Sequence, residues 1–242
     1  MFEINKAADN DEHTLRISMD TKDKVKIGEF SRNGKSRVEV KAADHDFCGE
    51  SVVPFGILLP ESSEVNLYIS NSRVTADFMA DCLQDFLDKN ESRFQGYRKI
   101  VLNQDNGPEN NSHRTQFIKR MVEFSAQTGL EIQLAYYPPY HSKYNPVERV
   151  WGVLETHWNG DLLDSKETVV NFAETMTWNG KNPIVNYVDK AYESGKKLTK
   201  KAMAAYEAVI DRLTGLEKWF VTIKPDKARQ LVLSEKYDEL II

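Results

Sequence analysis

The sequence predicts a mixed α/β fold, and three observations carry that prediction. Near the N-terminus apolar and polar residues alternate with the period of a strand, at Val74 the period lengthens to that of a helix, and beyond it short apolar runs take turns with helical stripes. Turn residues separate the segments, and no repeat or Gly/Ser linker divides the chain.

In "TLRISMD", Leu15, Ile17 and Met19 alternate with Arg16, Ser18 and Asp20, so a first strand ends with Asp20 on its polar face. The runs "VKIGEF" and "SRVEVKA" flank "SRNGKS", whose Asn33-Gly34 pair predicts a hairpin. Two further strands are expected at "VVPFGILL" and "NLYIS". Phe78, Cys82, Leu83, Phe86 and Leu87 then recur at helical spacing and predict a helix from about Thr75 to Lys89.

In "KIVLNQDNGPEN", Ile100, Val101 and Leu102 form a continuous apolar run, as in a strand covered on both faces. That strand turns polar at its carboxyl end, where Asp105 precedes Asn106-Gly107-Pro108. A helix from about His113 to Gln127 and a strand at "LEIQLAYY" follow, with Tyr136 read as core because it alternates with Leu134 and Ile132. The next helix is expected from Pro146, with Asn145 as N-cap and Glu148 closing a capping box. Its apolar stripe is Val147, Val150, Trp151, Leu154 and Trp158, with Glu148 at the edge. Beyond Trp158 the chain reads as mostly helical, with a short strand at "KWFVTIK" and an end, "QLVLSEKYDELII", that suits strand or helix.

The composition excludes several classes. The polar, acidic start "MFEINKAADNDEH" is not a signal peptide, and "FGILL", the longest aliphatic run, is too short to span a bilayer. Cys48 and Cys82 form no CxxC pair, which argues against a disulfide scaffold or zinc ribbon and for a reducing cytoplasm. His45 beside Cys48 supplies two ligands, and two ligands are not a zinc site. The net charge of −5 disfavours nucleic acid only at face value, since local patches do the binding and a carboxylate-rich site lowers the total. One such patch is expected at Lys197, Lys200 and Lys201, spaced i, i+3, i+4 on a helix; a solvated helix face gives the same pattern.

Asp20, Asp105 and Glu148 stand at two strand ends and a helix start. Each alone suits a turn or a cap. Together they offer an oxygen-only ligand set of the kind that Mg²⁺ or Mn²⁺ takes.

The segments "ISMDTKDKVKIGEFSRNGKSR", "AADHDF", "PFGIL", "NQDNGPENNSHRTQFIKRMVEF", "YYPPYHSKYNPVERVWGVLETHWNG" and "TMTWNG" resemble the DDE transposases of bacterial insertion sequences, closest to the ISAzo-thirteen group. The likeness covers most of the span from Leu15 to about Ile223. It implies a ribonuclease H-like core with a mixed five-stranded sheet flanked by helices and a mostly helical C-terminal extension. It implies that Asp20, Asp105 and Glu148 are the metal-binding triad, holding two ions of Mg²⁺ or Mn²⁺. It also implies DNA strand cleavage and strand transfer in transposition, on transposon ends and target DNA, by a homo-oligomeric assembly at the bacterial nucleoid.

Two metal ions roughly 4 Å apart suit this chemistry, because one activates the nucleophile and the other neutralises the leaving oxygen. The DNA is then expected on the ramp "YYPPYHSKYNP" and the helix after it, through Tyr137, Tyr140, His141, Ser142, Lys143, Tyr144, Asn145 and Arg149, and on Lys197, Lys200 and Lys201. Residues 1–13 are expected to be a short leading segment, 14–160 the catalytic core, 161–225 a helical extension packed on it, and 226–242 a tail. Family members usually carry an N-terminal helix-turn-helix region, and only about a dozen residues precede the first strand here, so a core without end-recognition module is expected. Two other functions fit the same residues: a silent or repurposed core that only binds DNA or protein, and a different nuclease of this fold.

Overall fold

The computed structural model describes residues 1–28, 49–138, 141 and 144–240, the last five of these as backbone. The hairpin expected at Asn33-Gly34, His45 and Cys48 lie outside the described residues. The chain folds as two compact units that interleave in sequence. One holds Met1–Ile17, Thr75–Asn145 and Glu193–Ile242; the other holds Ser18–Val74 and Pro146–Tyr192.

The first unit opens with a helix that the polar N-terminal segment did not suggest, α1 (Phe2–Asp9). Its one buried side chain, Ala8, explains the weak signal. Ala8 packs with Val101, Ala135 and Phe220, and polar contacts add to it: Asn103 Nδ2 donates to Asn5 Oδ1 at 2.9 Å, and Arg16 Nη2 donates to Asp9 Oδ2 at 2.8 Å. The strand β1 (Thr14–Thr21) starts in this unit and ends in the other. The helix α2 (Ala76–Lys89) begins where expected, because Thr75 caps it by accepting the Phe78 N–H. The strands β5 (Lys99–Gln104) and β6 (Glu131–Tyr136) pair in parallel around the connecting helix α3 (Thr115–Thr128). Phe78, Leu83, Phe86, Phe117, Ile118, Met121, Ile100, Leu102 and Leu134 are all buried, as both helical stripes and the apolar strand require.

Four elements after Glu193 complete this unit, and two differ from expectation. The helix α6 (Lys200–Glu207) starts after Thr199, whose hydroxyl accepts the Ala202 N–H. Lys197 therefore lies before the cap, and the three lysines do not share a helical face. The short strand β8 (Ile210–Arg212) pairs with β9 (Phe220–Ile223), which runs antiparallel along β6 at the expected "KWFVTIK". The ambiguous end is a helix, α7 (Pro225–Leu240), packed along α3.

In the second unit the carboxyl end of β1 pairs antiparallel with β3 (Ser51–Leu59), with Asp20 opposite Gly56. On the other side of β3 lies the antiparallel β4 (Glu64–Ser70), while the two-residue β2 (Val25–Lys26) pairs with the start of β3. Next to β4, and parallel to it, lies β7 (Ile184–Val188), a strand in a stretch expected to be helical. Its residues are half-buried or exposed, so it lacks the apolar run that marks a strand. The helices α4 (Glu148–His157) and α5 (Lys166–Thr175) supply the rest of the core. Val147, Val150, Trp151, Leu154 and Trp158 pack with Val52, Leu58, Leu67, Ile69 and Val169 in one buried cluster, which confirms the stripe read from the sequence. Among the described residues no helix is long and apolar enough to cross a membrane.

Candidate active site

The second unit places Asp20 on an ordered ladder. Three residues at alternate positions, Ser18 and Asp20 in β1 and Lys22 just past its end, each meet one residue of the segment 147–155, Val147, Trp151 and Glu155. The Val147 N–H donates to Ser18 Oγ at 3.0 Å, the Trp151 indole Nε1–H donates to Asp20 Oδ2 at 2.9 Å, and Lys22 pairs with Glu155. The match has a simple metrical cause. Two residues advance a strand by about 6.6 Å and four advance a helix by about 6 Å, so every second strand residue finds every fourth helical one. Glu148 sits at the start of α4, directly after the first rung and half-buried.

The polar face of β1 is thus not a solvated face. Ser18 is fully buried and Asp20 is 9% exposed. The helix begins at Glu148, with Val147 at the N-cap position and no cap hydrogen bond from the Val147 side chain. Asn145, expected as the cap from the local pattern, is a buried residue. The orphan N–H of Val147 is satisfied across the fold by Ser18, a partner that local sequence cannot reveal.

Gly56, opposite Asp20, permits this packing. A Cβ there would lie 2.7 Å from Trp151 Cη2 and 2.9 Å from Val147 Cγ2, closer than real contacts come. The indole therefore crosses the strand at the one position without a side chain.

Asp105, in the first unit, is held differently. It follows β5 directly, half-buried, and accepts a hydrogen bond from Asn110 Nδ2 at 3.0 Å. The same amide nitrogen donates to the buried Gln104 Oε1 at 3.2 Å, so one loop residue ties the strand end to the carboxylate beyond it. The loop closes tightly on itself: a Cβ at Gly107 would lie 2.9 Å from Asn110 Oδ1 and 3.1 Å from Asp105 Oδ2. Asn106 accepts the Ser112 N–H at 3.3 Å, and Asn111 Nδ2 donates to the Gly107 carbonyl at 2.9 Å, fixing the rest of the loop. Around it the Gln104 Nε2, Ser112 Oγ and Tyr136 Oη atoms are buried.

Among the described residues no group of three or more His, Cys, Asp or Glu side chains is gathered as a metal cluster. The donor chemistry does fit a hard cation. Asp105 has as its hydrogen-bond partner, among the described residues, a neutral amide, and Asp20 accepts from a neutral indole; neither donor cancels a carboxylate charge.

The residues expected to meet DNA fall into three groups. Tyr140, Ser142 and Lys143 lie outside the described residues. Tyr137 and Asn145 are buried, and Tyr137 Oη accepts from Asn5 Nδ2 at 3.5 Å, so these two side chains are committed to the interior. His141, Tyr144, Arg149, Lys197, Lys200 and Lys201 are exposed. The rings of His141 and Tyr144 stack with centroids 5.8 Å apart, and Phe2 meets Tyr144 edge-on. Arg149 lines an open groove along the outer face of α4 with Gly152, Val153, Thr156 and His157.

The family described as the Rhodopirellula transposase DDE domain matches residues 2–225. This chain belongs to that family. Among solved structures, the DDE domain is similar to the Mos1 transposase paired-end complex with left transposon end, at 13% identity and a TM-score of 0.50 over 71% of this chain and 50% of that one. It is similar in the same measure, at 14% identity and a TM-score of 0.50 over the same shares, to the Mos1 mariner paired end complex with Mn. These likenesses show the fold, which is ribonuclease H-like as the sequence resemblance implied. The chain spans about half the length of the solved chains it matches. No curated protein matches it.

Trp151, Gly56, Asn110 and Ser18 were not singled out as functional from the sequence. The matched spacings, i+2 in "SMDTK" and i+4 in "VERVWGVLE", were the available signal.

Proposed function

We propose that this chain is the catalytic domain of a transposase, cleaving DNA strands and joining the freed 3′ end to target DNA, with Asp20, Asp105 and Glu148 as its metal-holding carboxylates. Membership of the DDE family supports the reaction class. The observation that carries the reading on this chain is the anchoring of the two aspartates: at their strand ends Asp20 accepts from the Trp151 indole and Asp105 from the Asn110 amide, donors that fix a carboxylate's direction and bring no charge of their own.

Mg²⁺ or Mn²⁺ bound there would supply activation of the attacking oxygen and neutralisation of the leaving one. The chain's own residues do the rest. Trp151 and Asn110 fix the directions of Asp20 and Asp105. Glu148, in the first turn of α4, adds its charge at the end of a helix that tolerates acids best. Arg149, His141 and Tyr144 face solvent and suit contacts to phosphates and unstacked bases, while Lys197, Lys200 and Lys201 add exposed positive charge.

The test is nicking of supercoiled plasmid in the presence of Mn²⁺. The wild-type chain should convert it to open circles, and Asp105→Asn and Glu148→Gln should each remove that activity while melting within about 1 kcal/mol of wild type. Activity that persists undiminished in either variant sinks the assignment. DNA binding without cleavage by the wild-type chain would favour the alternative of a silent, DNA-binding core. Charge reversal at Arg149 should weaken binding about equally on unrelated duplexes and flatten its salt dependence, which is the mark of a phosphate contact rather than a base contact.

A further inference from the structure

We propose that Trp151 is a positioning residue for metal binding: its indole N–H fixes one oxygen of Asp20, and Gly56 is the opening in β3 through which the ring reaches it. The inference rests on Asp20 being a metal-holding carboxylate, as argued above.

Three features set this contact apart from an indole that merely needs an acceptor in the core. First, the donor is neutral and cannot accept or titrate, so it constrains Asp20 in direction and brings no charge of its own. A lysine or arginine at 151 would have competed with the cation. Second, the contact is over-determined. The rung at Asp20 lies between two others, the Val147 N–H on Ser18 Oγ at 3.0 Å and the Lys22–Glu155 pair, so neither the strand nor the helix can slide along the other without breaking all three. Third, the fold gives up a side chain for it. The residue paired with Asp20 in the sheet is Gly56, and any Cβ there would meet the Trp151 ring at 2.7 Å. Trp151 is 7% exposed, so water does not substitute freely for the indole.

A carboxylate with one oxygen held in this way presents its other lone pairs at a fixed angle. Removing an outer partner of that kind from a metal ligand costs on the order of 10- to 100-fold in metal affinity or activity. The role is not visible in the apolar stripe of α4, where Trp151 reads as one more core residue.

The experiment measures Mn²⁺ affinity, by the spin-resonance signal of free Mn²⁺, for four folded proteins: wild type, Trp151→Phe, a protein with benzothienylalanine at 151, and Asp20→Asn. Benzothienylalanine keeps the shape of the ring and replaces the N–H by sulfur, so it answers even if the smaller Phe loosens the core. The proposal expects affinity to fall on the order of tenfold in both position-151 proteins and further in Asp20→Asn. It also expects the indole N–H resonance of Trp151, assigned by its loss in Trp151→Phe, to move when Mg²⁺ is added to wild type and to stay put in Asp20→Asn. If wild type binds Mn²⁺, Asp20→Asn does not, and benzothienylalanine leaves affinity unchanged, then the positioning role is wrong and the metal reading survives. If wild type takes up no Mn²⁺ at millimolar concentration, both fall.

Discussion

The two aspartates stand at equivalent places, the carboxyl ends of strands, yet the molecule secures them by unlike means. Asp20 is held by a helix 131 residues away in sequence, through an indole buried in a large apolar cluster. Asp105 is held by a residue five positions on, inside its own loop, in a polar setting with the buried polar side chains of Gln104, Ser112 and Tyr136 nearby. Long-range packing makes the first site as firm as the core behind it. The second depends on one amide and a glycine turn. A carboxylate held by the core fails only when the unit does, whereas one held by a loop can be displaced locally.

Substitutions at the two sites should separate these cases. The largest loss is expected for Trp151→Ala, which empties a cavity beneath β3 and strips Asp20 of its donor; urea denaturation should show a cost of about 3–5 kcal/mol. Asn110→Ala should cost less, about 1–3 kcal/mol, because it leaves the buried Gln104 Oε1 without its donor. In that variant hydrogen exchange should rise over residues 105–112 and stay unchanged in β1 and α4. If the two variants prove equally destabilising, the contrast between core-held and loop-held carboxylates is void.

Ser18→Ala comes next, at about 1–2 kcal/mol, the penalty for an unsatisfied Val147 N–H in the interior. Lys22→Met should cost less than about 1 kcal/mol, since Glu155 is 46% exposed and water screens the pair. Thermal melts of these two variants sharpen the picture of the ladder: a cost at Lys22 matching that at Ser18 would mean that the outer rung carries as much as the buried one.

The sequence reveals much of this architecture wherever one element carries its own period. Ile17 and Met19 mark the strand that bears Asp20, and Val150, Trp151, Leu154 and Trp158 mark the buried side of α4. What stays hidden is pairing between distant elements. The alternation in "TLRISMD" suggested one polar face, and in the folded chain Ser18 and Asp20 on that face are occupied by Val147 and Trp151, while Arg16 pairs with Asp9. The local pattern Asn-Pro-Val-Glu suggested a self-contained cap, and the Val147 N–H at this helix start finds its partner across the fold in Ser18. Thr199, a plain capping threonine, was the cue that Lys197 lies outside α6. The edge strands β7 and β8 were missed because they are short and half exposed, so burial stamps no period on them.

The ladder between β1 and α4 also sets what changes of chain length this domain can survive. Deleting one residue between Ser18 and Lys22 sends a side chain to the opposite face of the strand, and deleting one between Val147 and Glu155 turns the following rungs by about 100° around the helix. Either event unhooks Asp20 from its indole without altering a single residue that touches a substrate. In the segment from Asp189 to Leu198, which carries no helix or strand, an added residue should be absorbed. A scan of single-residue deletions should find silent ones in that segment and none on the ladder.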